Sequence, residues 1–207
     1  MPRQARTISP TSIYHAILRG VNKQQVFEDE EDYIHFLNVL RRQTQPDVDA
    51  QGQTFQPRCH VYAYCLMGNH VHLLLKEGSE TIGNIMKRIA SSYVYHYNHK
   101  YGRVGHLFQE RFKSQPVNDF SYFITLLRYI HQNPLKAMLV DSIDEYEWSS
   151  WQEYNGTANQ GFCSTQAVLG RIPFADLKAL VETPLPEEDA NQFIDVDVRP
   201  TKSTYSD

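Results

Sequence analysis

Two apolar runs lie back to back in the middle of the chain, separated only by Gly68 and Asn69. The runs are CHVYAYCLM, residues 59–67, and HVHLLLK, residues 70–76. Glycine and asparagine tolerate positive φ, so a two-residue connection of this kind is typical of a tight β-hairpin. The sequence therefore predicts a central antiparallel hairpin, and any fold of this chain has to be built around it.

The segments on either side of the hairpin alternate between strand and helix patterns. β-Branched and aromatic residues predict a strand over 12–20, and apolar residues at helical spacing predict a helix over 28–44. The elements predicted after the hairpin are a helix over 81–102, a strand over 106–117, a helix over 118–134 that is capped by Asn118 and stopped by Pro134, and two helices within 164–182.

This order predicts an α+β fold, a ferredoxin-like or RRM-like sandwich with a central antiparallel sheet, helices and extra C-terminal helices. One face of the sheet should stay free of the two crossover helices. A chain of 207 residues, 41% of them hydrophobic, is long enough to bury one such core.

Composition excludes several classes of protein. No run approaches the roughly 18 apolar residues of a membrane helix, and the N-terminus MPRQARTISPTS lacks an apolar signal segment. We therefore expect a cytoplasmic protein with no membrane association. The three cysteines, Cys59, Cys65 and Cys163, are odd in number and lack C-x-x-C spacing, which favours reduced thiols over a disulfide framework or a thiolate zinc site.

Charge is unevenly distributed along a chain whose net charge is −4. Segment 83–136 contains eight basic residues and two acidic ones, which predicts a surface that faces phosphate groups, with an ordinary solvated helix face as the alternative. From Glu182 to the end, seven acidic residues stand against two basic ones. Residues 184–207 are therefore predicted to form an acidic, disordered tail.

The hairpin carries the first candidate functional pair, His70 and His72. Side chains alternate along a strand, so both imidazoles point to one face while Val71 and Leu73 point to the other. Two imidazoles on one face can hold one metal ion, although a lone His-x-His pattern is more often plain surface. The pair needs a third partner before it indicates a site.

A candidate partner lies in RYIHQNP, residues 128–134. Tyr129 and Asn133 are four residues apart, so they share one helix face about 6 Å from each other. Asn133 precedes Pro134, which predicts a frayed helix end with its amide oxygen pointing outward. Two imidazole nitrogens and one amide oxygen suit Mn²⁺ or Mg²⁺. Taken singly, Tyr129 would more often be a core aromatic and Asn133 an ordinary helix cap.

Five motifs in order, spread over residues 12–155, resemble the single-tyrosine HUH transposases, and most of all the REP-associated tyrosine transposases. The motifs are YHAILRG with VNKQQVF, GNHVHLLL, GHLFQERFKS, RYIHQNP and EYEWSSWQEY. The resemblance implies that His70, His72 and Asn133 hold a divalent metal ion, Mg or Mn, and that Tyr129 is the catalytic nucleophile. It also implies a ferredoxin-like fold and cleavage and rejoining of single-stranded DNA at hairpin-forming repeats through a 5′-phosphotyrosine.

The resemblance divides the chain into an N-terminal extension, 1–11, the transposase domain, 12–155, a C-terminal helical extension, 156–183, and the acidic tail. The chain departs from the family in its acidic charge, its long tail, and RGVN where members commonly show RGN. The oligomeric state stays open between monomer and homodimer.

DNA contacts are expected from the basic segment. The candidates for the DNA backbone are Lys87, Arg88, Arg111, Lys113 and Arg128, and the candidates for stacking on unpaired bases are Tyr93, Tyr95 and Tyr97. His15 and His131 receive no role and are expected behind the ligands or on the surface. The tail is hypothesised to compete with DNA for the basic segment, so that deleting residues 184–207 raises cleavage.

Two alternatives remain. The chain could be a non-catalytic module that binds hairpin nucleic acid. It could instead be a metal-dependent hydrolase that uses water as its nucleophile, with Cys59 or His60 as a further ligand, and would then form no covalent adduct with DNA.

Overall fold

The computed structural model describes residues 7–193, which form a four-stranded sheet with helices on both faces. The strands are β1 Ile13–Arg19, β2 Cys59–Met67, β3 His70–Glu77 and β4 Lys113–Pro116. Their order in the sheet is β2-β3-β1-β4, and each neighbouring pair is antiparallel. β3 therefore lies between β1 and β2, which run in the same direction, and the predicted α+β fold with a split β-α-β unit is confirmed.

Seven helices accompany the strands in the described part of the chain. They are α1 Glu30–Thr44, α2 Ile82–Lys100, α3 Phe120–Lys136, α4 Trp151–Tyr154, α5 Thr165–Leu169, α6 Phe174–Glu182 and α7 Glu187–Ala190. The predicted pair of helices within 164–182 corresponds to α5 and α6. Within residues 7–193, no helix combines the length and the hydrophobicity needed to cross a bilayer.

The sheet buries both of its faces, and alternation along the strands decides which residues face which helices. Leu18, Val71 and Leu73 pack with α1 and α2 in one core, whereas Ala63 and Leu74 pack with α3 and the C-terminal helices in the other. The predicted face free of the two crossover helices is thus covered by α3. Along β3, the residues that alternate with Val71 and Leu73 point toward α3. His70 and His72 are among them, so both imidazoles face α3.

The chain turns sharply after β1, beside the hairpin turn. Gly20 is required there because a Cβ atom would lie 2.3 Å from the backbone oxygen of Gln24. Asn22 and Lys23 follow with φ of 52° and 60°, the left-handed region that non-glycine residues rarely adopt. The Gly20 amide donates to the Asn69 carbonyl at 2.9 Å, so this strained turn is fixed to the hairpin.

Helix α3 corrects two predictions about its ends. Asp119, not Asn118, caps the helix, since its carboxylate accepts from the Tyr122 amide at 2.8 Å. Pro134 does not stop the helix, which continues to Lys136. Proline removes the N–H that would bond to the carbonyl four residues earlier, and the side-chain amide of Asn133 donates to that carbonyl, of Ile130, at 3.4 Å. This substitute bond lets the helix pass through the proline.

The predicted strand over 106–117 is much shorter in the structure. Only β4 forms a ladder with β1, and residues 106–112 touch the end of β1 at single points. The Gln109 amide donates to the Arg19 carbonyl at 2.8 Å, for example. Gly105, with φ of 103°, redirects the chain there, and the exposed polar residues 109–111 have no partner strand to face.

The predicted disorder over 184–207 is wrong for its first part. Leu185 and Phe193 are 7% and 4% exposed, and α7 lies between them. Two isolated apolar residues anchor this otherwise acidic segment against α3 and β1. Residues 194–207, like residues 1–6 of the predicted N-terminal extension, lie outside the described residues.

Candidate active site

Tyr129 of α3 and the histidines of β3 meet on the face of the sheet that α3 covers. The ring centroids of His72 and Tyr129 are 5.6 Å apart with an interplanar angle of 87°, and those of His70 and His72 are 4.9 Å apart. Tyr129 and the two histidines, nearly sixty positions apart in sequence, therefore converge. This convergence is the geometric condition on which a shared metal and nucleophile site depends.

A third histidine, His15 of β1, joins them. Its Nε2 lies 3.0 Å from Nδ1 of His72, the two rings stack at 5.2 Å, and its ring meets that of Tyr129 at 6.1 Å. His15 is fully buried, which lowers its pKa to about 3. No role for His15 was predicted, because its neighbours depend on the register between β1 and β3, in which Ile17 stands opposite His72.

His72 is held as a neutral imidazole with one nitrogen available. Burial, with smaller contributions from His70, His15 and Lys136, lowers the pKa of His72 well below its usual range. Its Nδ1 is engaged by His15, whereas its buried Nε2 bonds to no atom of residues 7–193. His70 is similarly engaged on Nδ1, 2.5 Å from Oδ1 of Asn69. Metal-binding histidines commonly have their second nitrogen fixed in this way.

Asn133 is more buried than predicted, at 9% exposure, and does not sit at a frayed end. Its Nδ2 donates to the carbonyls of Tyr129, at 2.9 Å, and Ile130. This fixes the amide and leaves Oδ1 as the atom that can serve a ligand. Two imidazoles and an amide oxygen are donors that suit Mg²⁺ or Mn²⁺, so the residues fit such an ion.

The two candidates for the extra ligand that the hydrolase alternative requires, Cys59 and His60, lie far from His70. In the hairpin register Met67 stands opposite His70, whereas Cys59 and His60 stand opposite Glu77 and Lys76 at the far end of β3. Among the described residues, no group of three His, Cys, Asp or Glu side chains could hold a metal ion. A metal bound here would therefore need an amide or substrate oxygen.

Lys136 brings a positive charge to the candidate nucleophile. Its Nζ lies 4.7 Å from the centroid of the Tyr129 ring. Tyr129, Asn133 and Lys136 follow the i, i+4, i+7 spacing of one helix face. This spacing can be read from the sequence, but the prediction that the helix ends at Pro134 left Lys136 outside the helix.

Phe193 covers Tyr129. The two ring centroids are 4.9 Å apart, and Tyr129 is only 1% exposed. The covering segment is held by hydrogen bonds from Gln115 Nε2 to the Gln192 carbonyl, at 2.9 Å, and from the Leu185 amide to Oε1 of Gln132, at 3.1 Å. Tyr129 thus lies between the sheet face and the C-terminal segment, which closes it off from solvent.

The predicted DNA-binding residues fall into two groups. Lys87 and Arg111 are exposed and line one cavity, and Lys113 is exposed at the start of β4. Arg88 instead pairs with Glu80, with 2.9 Å between Nη2 and Oε1, and Arg128 donates to the Thr183 carbonyl at 3.1 Å. These last two are engaged within the protein.

The three candidate stacking tyrosines also divide. Tyr93 and Tyr97 are buried, and their hydroxyls donate to the Val26 carbonyl and to Glu28, so neither is a stacking surface. Tyr95 is 76% exposed. His131 is buried with Nε2 2.7 Å from the Ser150 hydroxyl oxygen, so it joins α3 to the start of α4 and is absent from the site.

Comparison with known proteins identifies the family and the fold. The sequence profile described as transposase, IS200-like, matches residues 9–133, more than half of the chain. The chain belongs to the IS200-like transposase family. No curated protein matches this transposase. Its structure is similar to that of a REP-associated tyrosine transposase bound to a REP hairpin, with a TM-score of 0.57 and 14% sequence identity over 78% of this chain and 90% of that one. At that identity the likeness supports the fold.

Proposed function

We propose that this transposase cleaves and rejoins single-stranded DNA at hairpin-forming repeats, with Tyr129 as nucleophile. The observation that carries the proposal is the placement of Tyr129 against His72, whose Nε2 is buried and bonds to no described residue. The REP hairpin bound to the similar structure supports hairpin DNA as the partner.

In the proposed reaction the Tyr129 oxygen attacks a backbone phosphorus. The phenolic proton leaves, the bond from phosphorus to the 3′ oxygen breaks, and that oxygen takes up a proton to give a free 3′-hydroxyl. The 5′ side stays joined to Tyr129 as a phosphotyrosine, which conserves the bond for attack by another 3′-hydroxyl. The nearby Lys136 ammonium favours negative charge on the phenol oxygen as it attacks.

His70, His72 and Asn133 are the residues that would hold the metal ion. When bound, Mg²⁺ or Mn²⁺ would polarise the scissile phosphate and favour an in-line arrangement. The protein contributes the fixed imidazole orientations, the fixed Asn133 amide and the exclusion of water from a buried site.

A non-catalytic hairpin-binding protein is the second candidate function. It is favoured by the burial of Tyr129 beneath Phe193. The two candidates differ in one product, the covalent protein–DNA adduct.

Incubation of the protein with labelled single-stranded DNA that contains a hairpin repeat, followed by denaturing electrophoresis, tests the proposal. We expect an adduct with Mn²⁺ and none with EDTA. Cys59→Ser should form the adduct at the wild-type level, because Cys59 lies at the far end of the hairpin. Cleavage without an adduct would favour the hydrolase, and hairpin binding with neither cleavage nor adduct would favour the non-catalytic protein.

His15→Ala is expected to weaken Mn²⁺ binding by about 10- to 100-fold, because His15 fixes the orientation of the His72 ring. His15→Gln, which keeps a hydrogen-bonding group, should lose less. Calorimetric titration of the DNA-free protein with Mn²⁺ measures this directly, with His60→Ala as the control for a distant histidine. Equal Mn²⁺ affinity in His15→Ala and wild type would remove His15 from the site.

A further inference from the structure

A groove runs along α2, outside the candidate active site. It consists of two adjoining cavities of about 580 and 460 Å³, which share Ala90, Ser91 and Arg111. The helix lines it from Gly83 to Tyr95, about 18 Å at 1.5 Å per residue. The opposite wall is the irregular segment 106–112.

The groove combines an exposed aromatic ring with unpaired cations. Tyr95 is 76% exposed, and Lys87 and Arg111 are exposed with no ion pair to another residue of 7–193. Glu110 also lines the groove, so the charge of the lining residues is modestly positive. The adjacent Arg88, by contrast, is paired with Glu80 away from the groove.

The groove opens beside the end of the sheet that carries His70. Its wall is bonded to β1 through the Gln109 amide and the Arg19 carbonyl, and Arg19 stands opposite His70 in the register of β1 and β3. Val21, the first residue of the strained turn, lines the same groove. A strand bound in the groove would therefore lie on the α2 side of the sheet, at the end where the hairpin turns, whereas His70 and His72 point to the α3 side.

We propose that this groove binds unpaired DNA nucleotides that flank the hairpin, with a base stacked on Tyr95 and phosphates paired with Lys87 and Arg111. Aromatic side chains stack on single-stranded bases, whereas duplex bases hide their faces from the solvent. The two cations complement the phosphate backbone. The proposal rests on the proposed DNA substrate and names the part of it that this surface recognises.

Binding measurements in the Tyr129→Phe background test the groove without cleavage. The probes are a DNA hairpin with a blunt end and the same hairpin with a single-stranded tail of mixed sequence on its 5′ or 3′ side. We expect a tail to increase affinity in the parent. Tyr95→Ala should lose about fivefold or more of the affinity for the tailed probe and none for the blunt one, and Tyr95→Phe should retain it.

Lys87→Ala and Arg88→Ala are the matched pair for the phosphate contact, because the two residues are adjacent and lose the same charge. Only Lys87→Ala should lower the slope of log affinity against log salt, by about 0.7. Equal slopes in the two variants, or a Tyr95→Ala protein that binds both probes like the parent or loses both equally, would overturn the proposal. A change in oligomeric state with unchanged DNA affinity would do the same and would assign the groove to a second copy of the chain.

The adduct experiment and the binding experiment on the groove have independent outcomes. A wild-type chain that forms no adduct but needs Tyr95 for tail binding would retain the groove and lose the proposed cleavage. A chain that forms the adduct with no Tyr95 effect would retain cleavage and lose the groove.

Discussion

Tyr129→Phe is expected to abolish the covalent adduct while leaving hairpin affinity within about twofold of wild type. The substitution removes only the phenol oxygen, the proposed nucleophile, and keeps the ring that contacts His15, His72 and Phe193. Because the nucleophile would form the only bond between protein and DNA, no residual adduct is expected. Denaturing electrophoresis measures the adduct, and fluorescence anisotropy with the same hairpin measures affinity.

Tyr122→Phe provides the control, since Tyr122 lies on the same helix and also contacts Phe193. It should form the adduct at a rate comparable with wild type. An adduct that persists in Tyr129→Phe would place the nucleophile on another residue, and peptide mapping of the labelled adduct would then identify it.

Phe193→Ala is expected to accelerate adduct formation by about tenfold or more. Burial of a phenylalanine side chain contributes roughly 1.5–3 kcal/mol, so its loss should increase the fraction of molecules in which the C-terminal segment is displaced from Tyr129 by about 10- to 100-fold. Single-turnover adduct formation at saturating hairpin DNA measures the effect. Deletion of residues 184–207 should act in the same direction.

Substitution of the acidic residues of α7 distinguishes two ways in which the C-terminal segment could limit access to Tyr129, by steric cover or by charge competition with DNA. Neutralising Glu187, Glu188 and Asp189 to Gln, Gln and Asn removes negative charge but keeps Phe193. If the segment acts as steric cover, Phe193→Ala should accelerate the reaction more than this triple variant does, at high as well as low salt. A larger, salt-sensitive effect of the triple variant would show that charge competition dominates, and no effect of either would mean that the segment does not limit access.

The central hairpin and the spacing of Tyr129 and Asn133 were predictable because each depends on neighbours in the sequence. Gly68 and Asn69 set the turn, alternation sets the face of His70 and His72, and the helical period sets the rest. The transposase fold follows from such local patterns taken in order.

Other parts of the site depend on contacts between residues far apart in sequence. His15 reaches His72 through strand register, and Phe193 reaches Tyr129 from a segment whose acidic composition predicts disorder. Tyr93 and Tyr97 could not be distinguished from Tyr95 as stacking surfaces until the packing of α2 was known. These contacts join residues far apart in the sequence, and the local periodicity of the sequence does not predict them.

The proline within α3 links the orientation of one side chain to a gap in the backbone. Pro134 leaves the Ile130 carbonyl without its usual donor, and the Asn133 amide fills that position with its oxygen turned away. A descendant in which residue 134 had an ordinary N–H would gain a regular and more stable helix. The same change would take the Ile130 carbonyl from the Asn133 amide, which would then be held by its shorter bond to the Tyr129 carbonyl alone.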